Sequence, residues 1–145
     1  MNSFRLITTF VLLLSTTALF SQIHNRLHWV FPADSVEQIT FDLYSEYTVA
    51  HWEGNQIMAS SEITVHNANK SIMKFFIEED KRYDIVDTLQ GTQLLIESLH
   101  SRRAPIQSKG QTCYEIIKIK ILVPTTFVKQ DEHIWVKKEE EVEED

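Results

Sequence analysis

The sequence predicts a mainly β fold: a single-domain antiparallel β-sandwich with one short helix. Three observations carry that prediction. From Ile39 onward, apolar and polar residues alternate in short runs, the period of a half-buried strand. Only residues 69–81 break into helical spacing. The 145 residues suit one domain, with no heptads and no convincing short-period repeat. A short β-solenoid of stacked coils is the alternative, because strand follows strand at similar spacing.

The chain opens with a segment that does not belong to that domain. "MNSFR" carries one positive charge, Leu6 to Phe20 is apolar apart from hydroxyl residues, and Ser21 and Gln22 follow. This is the layout of a secretory signal peptide. The apolar run is shorter than the roughly 20 residues of a spanning helix. Cleavage is expected after Ser21, although Leu19 is bulkier than the Ala usual two residues before the cut. No Cys follows the run, which disfavours a lipoprotein anchor. Residues 1–21 are thus read as a leader, 22–138 as one β-rich domain, and 139–145 as a disordered tail. In that tail, "EEEVEED", six of seven residues are acidic and repel one another. The expected location is periplasmic or extracellular, with no stable membrane span once the leader is gone.

Without Arg5, 13 basic residues face 21 acidic ones. So acidic a chain is a poor general binder of nucleic acid or anionic membrane. The single cysteine, Cys113, excludes an intrachain disulfide, so stability must come from packing. Cys113 lies in an apolar strand pattern and is read as a buried, inert thiol.

Each element has its own justification. "LHWVF", Leu27 to Phe31, precedes Pro32 and reads as an edge strand. "QITFDL" places Ile39, Phe41 and Leu43 on one face. "HWEGNQIMASSEITVH", residues 51–66, reads as two strands joined by a hairpin turn at Glu53–Gln56, where Gly54 and Asn55 tolerate positive φ. Ile63 and Val65 point one way along it, Thr64 and His66 the other. Ile72, Phe75 and Phe76 fall at i, i+3 and i+4, flanked by Met73 and Ile77. They predict a short helix capped by Asn69 or Ser71 and lying on a sheet. Strands resume at "RYDIVDT" and, after a turn at Gly91, at "GTQLLIESLH". "SRRAPIQSKGQT" is a loop by composition. "CYEIIKIKILVP" is the strongest strand, with Ile117, Ile119, Ile121 and Val123 toward the core and Lys118 and Lys120 toward solvent. "HIWVKK" adds one more, for seven to nine strands in all.

Few patterns point to chemistry. His24 and His28 share a face only if their segment is helical, and no third ligand lies near them in sequence. There is no H-E-x-x-H, C-x-x-C or G-x-S-x-G, and three scattered glycines cannot build a phosphate loop. No cofactor or metal is expected. Arg102, Arg103 and Lys109 form a small basic loop patch; exposed loop charges are the ordinary reading, and a site for a phosphate or a carboxylate is the alternative. Asn69-Lys70-Ser71 matches a glycosylation sequon. Asp42, Glu46 and Glu53 lie among Tyr44, Tyr47 and Trp52. Carboxylates flanked by rings are what a sugar-cleaving site needs, one acid protonating the leaving oxygen while rings hold the sugar, and a glycosidase-like hydrolase is the alternative function they raise. The ligand-binding candidates are Trp52, Glu53, Tyr44 and Tyr47.

The order of features carries a resemblance. "SQ", then "ITFDLYSEYTVAHWEGNQI", the helix with "FF", "RYDI" and "IKILVP" resemble small uncharacterised exported proteins of Bacteroidota-type bacteria. These are distantly similar to adhesin-like secreted β-domains of a family named as a domain of unknown function. Their strand units follow a V.V..W.G..I.V spacing and are often solenoidal. The resemblance covers residues 38–124. This chain departs from it in its shortness, its few glycines and the 69–81 helix. It implies an exported β-domain with no catalytic residues. The function expected is a non-catalytic binding or structural module of the cell envelope, with an envelope protein or polysaccharide as partner.

Overall fold

A computed structural model describes residues 22–139. The expected leader, 1–21, and the tail apart from Glu139 lie outside the described residues. Among the described residues the fold is mainly β, two five-stranded sheets packed as a sandwich with one helical segment.

The first sheet has the order β1–β4–β8–β3, with β7 paired to one end of β8. Its strands are β1 (Gln22–Pro32), β3 (Tyr47–Trp52), β4 (Gln56–His66), β7 (Ile106–Ser108) and β8 (Gln111–Pro124). The second sheet runs β5–β6–β2–β10–β9. It comprises β2 (Gln38–Asp42), β5 (Ile85–Gln90), β6 (Gln93–Ser98), β9 (Phe127–Lys129) and β10 (Ile134–Lys137). Most neighbours are antiparallel, but β3 runs parallel to β8 and β2 parallel to β6.

Alternation decides which side of each strand is buried. Ile39 and Phe41 from β2 and Leu94 and Ile96 from β6 meet Ile57 and Ala59 from β4 and Ile119, Ile121 and Val123 from β8. Phe31, Phe127 and Trp135 complete this inter-sheet core. Lys118 and Lys120 face solvent, as their place in the pattern requires. The "LHWVF" segment lies in β1, an edge strand paired with β4 along its whole length.

Three local expectations are corrected. Residues 51–66 do form two strands and a turn, but not a hairpin, because β8 lies between β3 and β4 and pairs with both. The Ser101–Thr112 segment is not all loop. Ile106–Ser108 pairs with Gln111–Cys113 across Lys109 and Gly110, whose φ angles of 49° and 75° suit a tight hairpin. The third correction concerns the helix.

The helical segment comprises α1 (Lys70–Lys74) and a π-helical turn at Phe75–Glu79. Asn69 Oδ1 caps it, accepting from the Ile72 amide at 2.9 Å. The stripe turned inward is buried Met73 with half-buried Ile72, Phe76 and Ile77, set against Ile63, Val65 and Cys113 of the first sheet. Phe75 is turned outward and is 45% exposed. Both stripes fit helical spacing, so contact with the sheet decides between them.

Candidate binding groove between the sheet edges

The β2–β3 connection carries the chain from the second sheet to the first. Its residues Leu43–Glu46 therefore lie at the open flank of the sandwich. There β3, the last strand of one sheet, faces β10 and β9 of the other. An open groove of about 660 Å³ follows this flank. Tyr44, Glu46, Tyr47, Lys129, His133 and Trp135 are among its lining residues.

Tyr47 is its centre. Its ring lies 5.6 Å from Phe41 and 6.1 Å from His133, between the core and the groove. Burial first, then the negative charges of Glu132 and Asp42, raise the Tyr47 hydroxyl above its ordinary range and keep it protonated. Its oxygen and His133 Nδ1 share a 2.7 Å hydrogen bond. Trp135 is 7% exposed, and its buried indole N–H has no hydrogen-bond partner. His51 closes the flank beside it, edge-on to Trp135 at 5.4 Å and 2.8 Å from the Phe127 carbonyl oxygen.

Of the four candidate binding residues, the groove gathers Tyr44 and Tyr47. Trp52 and Glu53 lie at the other end of β3, and five strand steps span roughly 17 Å. Trp52 instead serves the turn. Its Nε1–H donates to the Gln56 carbonyl at 2.9 Å, and its ring covers Gly54. Asp42, Glu46 and Glu53 are split in the same way, so the three carboxylates do not converge on one cleft.

No family model, curated protein or solved structure matches this chain. The groove's geometry is what bears on its chemistry.

On the far side of Tyr44 lies a second groove, of about 540 Å³. Glu115, on β8, accepts from Arg82 Nε and Nη2, both at 2.8 Å, and from the Tyr83 hydroxyl at 2.7 Å. Arg82 Nη2 also reaches the Ala104 carbonyl at 2.8 Å. Burial alone would raise Glu115, but the bonds from Arg82 and Tyr83 and the charges of Arg82 and Arg103 hold it below the usual carboxylate range. Arg103 lies 4.4 Å from the centre of the Tyr44 ring and 5.5 Å from that of Tyr83. It is half-buried rather than an ordinary exposed loop charge.

The remaining candidates are structural or apart. His24 and His28 lie on β1, four strand steps or roughly 13 Å apart, which removes the helical premise for joint metal binding. His24 Nδ1 is 2.8 Å from Thr64 Oγ1. Among the described residues no cluster of three or more His, Cys, Asp or Glu is arranged to hold a metal. Cys113 is buried, its thiol donating to the Asn67 carbonyl at 3.1 Å, and burial, then the Glu115 charge, push its pKa up. The sequence reading missed Lys129 and His133. No local pattern marks them, because chain crossings bring them to Tyr44 and Tyr47 from far along the sequence.

Proposed function

We propose that this chain is an exported, non-catalytic binding module of the cell envelope whose ligand seats in the Tyr44–Tyr47 groove. The leader-like N-terminus supports export. The observation that carries the binding reading is the groove itself, where ring surface from Tyr44 and Tyr47 meets the hydrogen-bonding groups of His133, Glu46, Glu132 and Lys129. Rings beside fixed polar groups suit a saccharide, which offers flat C–H faces and hydroxyls together. An envelope polysaccharide is accordingly the first ligand class to test.

The test is retention of envelope polysaccharide on immobilised protein. Wild type and Trp52→Ala retain it, while Tyr47→Ala, checked for native folding, does not. Equal retention by Tyr47→Ala, or no saturable retention by wild type, removes the groove as the binding site.

A further inference from the structure

We propose that Arg103 anchors a second subsite, one that takes a single carboxylate from a ligand into the groove beside Tyr44. This goes beyond the Tyr47 groove and stands on different residues, although Tyr44, Ser45 and Glu46 border both.

The argument begins with charge. Two guanidiniums, Arg82 and Arg103, share the neighbourhood of one half-buried carboxylate, Glu115. That carboxylate is committed, with three donors from Arg82 and Tyr83 between 2.7 and 2.8 Å. Arg103 is left over. Its Nε and Nη1 are sealed from solvent and have no hydrogen-bond partner, and no ion pair engages it among the described residues. An arginine offers five N–H donors and stays charged in proteins. The Tyr44 and Tyr83 rings offset part of this with their π faces. Neither supplies a negative charge, and the one nearby, Glu115, is shared with Arg82.

The guanidinium lines the groove together with Glu46, Thr112 and Tyr114. An anion entering there adds a negative charge beside the guanidinium, at a place where low polarity strengthens the attraction. The acidic balance of the whole chain, −7, opposes a polyanion at long range and favours a ligand with one negative group. The competing role for Arg103 is a purely structural clamp between the two tyrosines.

The experiment is an NMR titration of the chain, following the Arg103 Nε–H signal. The probes are sodium glucuronate, acetylglycine and inorganic phosphate, against chloride at matched ionic strength. The expected result is a saturable shift with a carboxylate, weakened at least about tenfold in Arg103→Met and unchanged in Tyr47→Phe. Tighter binding of glucuronate identifies a sugar acid, and tighter binding of acetylglycine a peptide-type carboxylate. Should Arg103→Met not fold, Arg103→Gln keeps a polar side chain without the charge and is expected to show the same loss. The proposal is overturned by a response to phosphate alone, by no saturable shift with any probe, or by equal affinity in the folded Arg103 variant.

Discussion

The Trp52 ring occupies the space that a side chain at Gly54 would need. A Cβ placed on Gly54 comes within 2.1 Å of two ring atoms. Gly54 is thus required by a neighbour's bulk and not by its own backbone, since the positive-φ glycines are Gly91 and Gly110. Gly54→Ala is expected to destabilise the domain by about 1–3 kcal/mol through overpacking. In a Trp52→Ala background the same change should cost little. Urea denaturation of the four proteins of this double-mutant cycle measures the coupling; additive effects would mean that the ring does not rest on Gly54.

Arg82 and Glu115 predict a second asymmetry. Their side chains are 8% and 17% exposed. Arg82→Met leaves the carboxylate buried without its bidentate partner and is expected to cost about 3 kcal/mol. Arg82→Met combined with Glu115→Met removes both charges and should recover most of that loss. Chemical denaturation of the single and double variants checks the order.

The same cluster sets a pH profile. The folded state holds Glu115 below its ordinary range, so the stability it contributes is present above that range and lost as pH falls through the folded value. Tyr83 is shifted the other way. Burial first, then its bond to Glu115 and the Glu115 charge, raise it above its ordinary 10.0. Its contribution is present below that pH and lost as pH climbs past it. Denaturation midpoints across pH should therefore fall at both extremes. Tyr83→Phe is expected to flatten the alkaline limb, and an unchanged limb would assign it to other groups.

Asn69→Ala removes the acceptor that caps the helical segment and should cost about 1 kcal/mol. Thermal melts of the variant report this directly. Asn69→Asp, which keeps the acceptor, should retain most of the stability.

The strands were legible because their signal is local. Alternation at Ile39–Phe41 and Ile117–Val123 is written over a few residues, and burial follows it. Strand order was not legible. Nothing near Glu53–Asn55 reveals that a strand from residues 111–124 separates β3 from β4. The site divides along the same line. Tyr44 and Tyr47 stand out as rings near acids, whereas the partner of Tyr47, His133, is 86 residues away. Arg103 read as a loop charge because its burial comes from Tyr44 and Tyr83, which belong to other parts of the chain.

The place of β8 also bears on how the chain is made. Among the described residues, β3 has no ladder partner other than β8, and β4 draws one of its two partners from it. The β1–β4 ladder can form while synthesis is under way, but β3 waits until residues 119–124 have emerged. Closing so distant a contact places folding on the slow, millisecond-to-second side of the range for small domains. A fragment ending before residue 111 leaves β3 with both edges bare, a template for association with any other extended chain.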